Sequence, residues 1–330
     1  MKIMIMGGTG LLGYHAVKDA LRKGHDVTTL TVPDIHLGEW FPRAASVHYG
    51  DVFTMQSDDL VAELHGFDAL IYAIGPDERY VPKAPAYDFF HEHLVEGCGR
   101  VLACARKAGI GAVAVCNSYF AYFDRIWPEA HLAERHPYIK VRIEQAERCL
   151  AEGQGSMSVA ILELPYIFGT IPARVPLWKE TLLDRLKGMN PIIYTNGGSA
   201  MITAGHTGQA LVGAVERGAD GRFPIGDVNM SWKDMLQHIC AAMGLQRKIL
   251  ILPDALTFLP ALYGTTIKMQ EQAAGRQGGL DHAKMFYDIM RKFMYIDAGA
   301  SAVALGYARG GVEQAIAETV RACYPDERLT

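Results

Sequence analysis

Four glycines stand within seven residues near the start of the chain, in Gly7-Gly8-Thr9-Gly10-Leu11-Leu12-Gly13. Glycine is a poor residue for helix and strand alike, so its concentration directly after the apolar run KIMIM needs a reason. One reading is a flexible turn. The other is that an anion approaches the backbone more closely than a Cβ allows. In a G-x-G-x-x-G pattern between a strand and a helix, the first glycines permit a tight turn. The middle one admits a pyrophosphate, and the last lets helix pack on strand. The helix that follows offers unpaired N–H groups and the positive end of its dipole to the phosphate. On this reading Gly7, Thr9, Gly10, Leu11, Leu12 and Gly13 are the expected cofactor-binding set, and the cofactor is NAD or NADP.

That reading requires a strand before the glycines and a helix after them, and the chain supplies both. KIMIM reads as a strand, and LLGYHAVKDALRKG carries apolar residues at helical spacing up to Gly24. The strand DVTTLTV, the helix SDDLVAELHG and the strand FDALIYAIG follow. A long helix YDFFHEHLVEGCGRVLACARKAG, the strand GAVAVCNS, the helix PYIKVRIEQAERCLAEG and the strand MSVAILELP complete the alternation. Continuously apolar strands between helices imply a parallel sheet covered on both faces, joined by right-handed crossovers. The expected fold is α/β, a doubly wound Rossmann sheet over residues 1–165. After about residue 165 the alternation becomes irregular and Pro-rich. Residues 166–330 are expected to be mainly a smaller substrate-binding region, with some elements returning to the sheet.

Composition narrows what such a fold could act on. The chain has 330 residues, half of them apolar, and a formal net charge of −4. No basic run departs from that average, so neither nucleic acid nor an acidic membrane surface is an expected partner. Strand chemistry begins at Lys2, so no cleaved leader is expected, and the apolar stretch KILILPDALTFLPALYG is too interrupted to span a bilayer. The six cysteines are scattered without a C-x-x-C pair, which reads as reduced thiols in a cytoplasm. No His, Cys, Asp or Glu grouping has metal-ligand spacing, so no metal is expected. The end of the second strand, Leu30-Thr31-Val32-Pro33, has neither an acid for ribose hydroxyls nor a base for a 2′-phosphate. NAD and NADP stay equally open.

GGTGLLG, the Tyr49-Gly50-Asp51 segment, YAIG at the end of the third long strand, and the late ALGYARGGVEQAIAETV together resemble the extended short-chain dehydrogenase/reductases, the NAD-dependent epimerase/dehydratase-type enzymes. The resemblance implies cofactor contacts at Val32, Asp51, Val52, Ala73, Ile74, Gly75 and Pro165. A turn aspartate and a packing glycine are the plain alternatives at Asp51 and Gly75.

Chemistry in that family rests on a serine, a tyrosine, and a lysine four residues after the tyrosine. The tyrosine is the general acid or base, and the serine orients the substrate oxygen. Ser118 and Tyr138 match, with a strand-end cap as the alternative for Ser118. The lysine position holds Arg142, a departure from the pattern. Positions 138 and 142 lie about 40° apart around a helix, while Lys140 points about 200° away from the tyrosine. Arginine is a rigid fork rather than a compact ammonium, so the exchange is not conservative. A second register, His136 with Lys140, keeps the lysine but loses the tyrosine.

The turn after the strand MSVAILELP carries Tyr166 and Phe168, the expected substrate contacts, among Ile171, Val175 and Trp178, with plain core packing as the alternative. Apolar residues there favour a small hydrophobic ketone or secondary alcohol of the dihydroflavonol or hydroxysteroid type. A sugar-nucleotide epimerase or dehydratase is the alternative, and a non-catalytic NADP-sensing regulator is the alternative of another class. The resemblance also implies a homodimer through the helices that hold Phe89–Ala108 and Pro137–Glu152.

Overall fold

A computed structural model describes residues 1–35, 37–256 and 258–325. Its first half contains β1 (Lys2–Met6), β2 (Asp26–Thr31), β3 (Ser46–Tyr49), β4 (Ala69–Tyr72), β5 (Ala112–Ser118) and β6 (Ser158–Leu164). The second half adds β7 (Tyr166–Phe168), β8 (Ile192–Thr195), β9 (Gly198–Thr203), β10 (Gly221–Pro224), β11 (Val228–Ser231), β12 (Ile249–Leu252) and β13 (Phe293–Met294). Seven of these form one parallel sheet in the order β10-β6-β5-β4-β1-β2-β3.

Burial explains why the strands read as unbroken apolar runs. Along β1, Ile3 and Ile5 enter the core on one face of the sheet while Met4 and Met6 enter the core on the other, and all four are fully buried. The two edge strands lack this signal. β3 is largely exposed and β10 only half-buried, so neither presents an apolar run, and neither was expected from the sequence.

Helices cover both faces. Leu11–Arg22 follows β1, and residues 86–108 form one long helix that widens over His91–Gly97 into bonds reaching one residue further back. Gly109, at φ +87°, ends it. The Pro137–Gly153 helix packs beside it, starting with proline where no backbone donor is needed. Beyond β6, β7, β11 and β13 gather around β9 in a four-stranded sheet, while β8 and β12 pair in a small separate one.

The chain runs outward from β1 to β3, then returns to β4 on the opposite side of β1. Ligands of such sheets bind in the crevice outside the carboxyl ends of the strands where that reversal occurs. Every expected cofactor segment, and Ser118, lies at one of these ends, while Tyr138 and Arg142 lie on the Pro137–Gly153 helix. The glycine loop follows β1, Val32 follows β2, Asp51 follows β3, Ala73-Ile74-Gly75 follows β4, Ser118 ends β5, and Pro165 follows β6.

Candidate active site

In the glycine loop, backbone packs directly on backbone. Gly7 has φ +85°, and a Cβ there would lie 2.6 Å from the Ala73 carbonyl oxygen. A Cβ on Gly8 would overlap the Thr29 hydroxyl, and one on Gly13 would overlap the Gly7 carbonyl. Gly10 differs. Its φ of −84° is open to any residue, and its Cβ would have a single neighbour within 4 Å, the Gly7 oxygen at 3.3 Å. The fold itself therefore has little need of glycine at position 10. Tyr14 N–H donates to the Gly10 carbonyl at 2.9 Å and closes the first turn of helix. The N–H groups of Leu11, Leu12 and Gly13 lie ahead of the helix's own bonds, where an anion can meet them. Thr9 is buried and its hydroxyl is tied to that of Thr31 at 2.9 Å, so its side chain fixes the loop to β2.

Around this loop the other expected contacts differ in character. Val32 is 40% exposed at the mouth of the crevice. Asp51 accepts the Phe53 N–H at 2.9 Å in a tight local turn, and Val52 is buried, its carbonyl held by Arg100. Ala73 and Ile74 are half-buried, and Gly75, at φ +133°, leaves room for Leu94, whose Cδ2 a Cβ would approach to 2.5 Å. Pro165 is buried between β6 and β7.

Ser118 caps the Tyr119–Ile126 helix: its Oγ accepts the Phe120 N–H at 3.3 Å. That uses a lone pair and leaves the hydroxyl proton for another acceptor. Tyr138 and Arg142 meet as their helical spacing predicts. Arg142 Nε donates to the Tyr138 hydroxyl at 2.8 Å, and its guanidinium lies 4.9 Å from the tyrosine ring centre. Both are buried. Burial pushes the Tyr138 hydroxyl well above its ordinary range, and Glu78 and Asp77 push the same way; the Arg142 charge and hydrogen bond oppose them. Unliganded, Tyr138 is a protonated acid.

The residues of the second register lie elsewhere. Lys140 is half-exposed, 4.6 Å from the Tyr87 ring centre and 3.9 Å from Glu144. His136 is fully buried, accepts the Asp281 N–H at its Nδ1, and faces Asp288 at 3.3 Å. It pins residues 279–288 to the start of the Pro137–Gly153 helix, where Tyr138 N–H also donates to the Gly279 carbonyl at 2.9 Å.

Tyr166 is half-buried among aromatic rings, 5.6 Å from Trp178, 5.2 Å from Trp232 and 6.5 Å from Tyr119. Phe168 is 2% exposed and stacks on Trp178 at 4.6 Å, so it supports that wall from within the core. The apolar run around residues 256–263 is not such a wall. Leu259, Leu262 and Tyr263 project from a surface helix and are about half-exposed.

A profile of the NAD dependent epimerase/dehydratase family matches residues 3–200. The chain belongs to this family. Its members are NAD(P)-dependent enzymes, so this chain is an enzyme whose cofactor is NAD or NADP, and a purely sensing role falls away. Over nearly its whole length the chain is 23% identical to a "Putative dihydroflavonol 4-reductase" from Synechocystis sp., covering 96% of this chain and 92% of that one. It is 24% identical to the 2-alkyl-3-oxoalkanoate reductase of Stenotrophomonas maltophilia over 51% of this chain and 52% of that protein. Among solved structures, gox2253 superposes with a TM-score of 0.78 at 18% identity, covering 99% of both chains. The glycine loop fits the family's cofactor: the Gly10 position leaves the space a pyrophosphate fills.

One acidic group of this family member escaped the sequence reading. Pro76, Asp77, Glu78 and Arg79 follow β4, and the Pro76 carbonyl lies 3.5 Å from Arg142 Nη2. Asp77 and Arg79 pair with each other. The Glu78 carboxyl meets its own backbone N–H and the Arg79 charge, and its own charge bears on the hydroxyls of Tyr119, Tyr138 and Tyr166. Burial, and then Asp77, raise the Glu78 carboxyl above its ordinary value. Nothing in the string PDER separates such a carboxylate from a solvated loop. Among the described residues no three His, Cys, Asp or Glu side chains are grouped to hold a metal, and no helix is long and apolar enough to cross a membrane.

Proposed function

We propose that this enzyme transfers hydride between NAD(P) and a small, hydrophobic ketone or secondary alcohol, with Ser118, Tyr138 and Arg142 as its catalytic residues. The observation that carries the reading is the direct Nε–Oη bond between Arg142 and Tyr138 beside a wall of Tyr166, Trp178 and Trp232. The nicotinamide, when bound, supplies or accepts the hydride. Tyr138 gives its proton to the carbonyl oxygen as that oxygen gains negative charge, and the adjacent guanidinium stabilises the tyrosinate that remains. The Ser118 proton, left over from its capping bond, orients the same oxygen.

The glycine loop, Val32, Asp51, Val52, Ala73-Ile74-Gly75 and Pro165 are the proposed cofactor contacts, and Tyr166 the proposed substrate contact, with Phe168 behind it. The proposed division is 1–165 for the dinucleotide and 166–330 mainly for the substrate. Relatives named for dihydroflavonol and 3-oxoalkanoate reduction support a ketone substrate. The decisive assay follows nicotinamide absorbance with NAD(P)H against ring ketones, alkyl 3-oxo acids and sugar nucleotides. Turnover confined to sugar nucleotides would refute the ketone reading.

We further propose a cytoplasmic homodimer. The six cysteines are scattered along the sequence without a C-x-x-C pair, as suits a reducing compartment. Tyr80, Phe89, His93 and Phe53 form a row of touching rings beside the 86–108 helix, with Tyr80 and Phe53 substantially exposed for a second copy to cover. A monomer mass by light scattering at micromolar concentration would contradict the dimer.

A further inference from the structure

Arginine in place of the family's lysine raises a mechanical problem. A guanidinium on three methylenes can point in several directions, yet only one places Nε against the tyrosine hydroxyl. Arg142 has four acceptors: Tyr138 Oη at 2.8 Å, Gln145 Oε1 at 2.8 Å, the Cys116 carbonyl at 3.3 Å and the Pro76 carbonyl at 3.5 Å. The two carbonyls are long contacts, so beyond the tyrosine itself Gln145 is the one close anchor.

The direction of that anchor is forced. The Ser118 N–H donates to Asn117 Oδ1 at 2.6 Å, which leaves Asn117 Nδ2 as the donor on the opposite side. Nδ2 donates to the Arg142 carbonyl at 2.9 Å and to Gln145 Oε1 at 3.0 Å. Arginine has donors only, so Gln145 Oε1 must be the oxygen that receives both Asn117 and Arg142. Two amides thus join the Ser118 backbone to the Tyr138 hydroxyl in a chain whose every polarity is fixed. Asn117 and Gln145 are both buried, and the Gln145 Nε2 finds no partner among the described residues. An unpaired buried amide costs stability. An apolar side chain of similar length at position 145 would avoid that cost, so the glutamine earns its place through its oxygen.

We propose that Gln145, oriented by Asn117, is a positioning residue that holds the Arg142 guanidinium against the Tyr138 hydroxyl. The inference rests on Tyr138 being the proton donor. The charged groups that face Tyr138 are Arg142 on its own helix and Asp77, Glu78 and Arg79 from the loop after β4.

The test uses the full-length protein with NAD(P)H and the best ketone found in the screen. Gln145→Met frees the fork and should lower kcat about tenfold or more, within the span of general acid–base catalysis, while KM for the ketone moves less than about twofold. Gln145→Glu keeps an acceptor in the same place, so kcat should largely recover. Its carboxylate also offsets the arginine charge, so the tyrosine holds its proton more tightly. The alkaline fall of ketone reduction, and the alkaline rise of alcohol oxidation, should both move to higher pH by roughly one unit. A Gln145→Met enzyme with wild-type kcat, together with a Gln145→Glu pH profile that overlays wild type, would overturn the proposal. Should Gln145→Met fail to fold, the Gln145→Glu profile decides alone. Tyr138→Phe, assayed in parallel, separates the two levels. If it is inactive and the Gln145 variants match wild type, only the positioning role fails. If it turns over normally, the acid/base reading fails and the positioning role with it.

Discussion

The glycine loop and the Pro137–Gly153 helix are built by opposite means. In the loop, a Cβ would meet backbone at Gly7 and Gly13 and the buried Thr29 side chain at Gly8. On the Pro137–Gly153 helix everything depends on side chains. Tyr138, Arg142 and Gln145 project from one face and are fixed by partners on β5 and on the loop after β4. A site made from backbone fails when atoms are added; a site made from side chains fails when atoms are taken away or misaimed.

Valine at the last and at the middle glycine of the loop probes this contrast most severely. Gly13→Val puts its Cβ into the Gly7 carbonyl, so both thermal stability and dinucleotide affinity should collapse. Gly10→Val should leave the melting temperature near wild type and abolish dinucleotide binding, because its Cβ enters space the fold leaves open. Calorimetry and NAD(P)H titration on both variants check the pair; equal melting losses would show that position 10 is structural after all.

On the helix, Tyr138→Phe should cost roughly 10²–10⁴-fold in turnover with dinucleotide affinity unchanged. Arg142→Lys tests whether the family's ammonium can replace the fork. From the sequence alone, lysine at 142 looks like a restoration. The structure gives Arg142 four acceptors through three nitrogens, and one ammonium cannot serve them all, so the rate should fall, about tenfold. A faster Arg142→Lys enzyme would show that the charge matters and the geometry does not.

The smallest expected effect concerns Glu78. Its carboxyl is raised in the folded chain above its ordinary value, so folding favours the protonated form. The neutral group's contribution is complete below the unfolded pKa and is lost as pH rises through the folded one. At neutral pH the ionised Glu78 therefore detracts from stability, and Glu78→Gln should melt slightly higher at pH 7 but not at pH 4. A shift of the same size at both pH values would remove ionisation as the cause.

The contrast also explains what the sequence revealed. Buried β strands show as apolar runs because both faces of the sheet are covered, and the glycine loop shows because only one residue type survives such close approach. Tyr138 and Arg142 are legible through their i, i+4 spacing on one helix. Glu78 and Asn117 lie far from them in the chain and have no periodicity to betray them. Gln145 shares the helix, yet it reads there as one more polar residue. Trp232 reaches the wall beside Tyr166 from a helix more than sixty residues later, a juxtaposition fixed by β7 pairing with β9 rather than by any local pattern.

The bond from Tyr138 N–H to the Gly279 carbonyl, and the buried His136 between Asp281 and Asp288, tie the start of the Pro137–Gly153 helix to a segment late in the chain. During synthesis on the ribosome, the glycine loop and its strands emerge well before that segment exists. The helix after the loop packs on Ala204–Glu216, which emerges some sixty residues before Gly279, so on the proposed reading the cradle can form before the tyrosine is seated. On that reading, binding competence would precede catalytic competence, and a chain released before Gly279 would hold cofactor without turning it over.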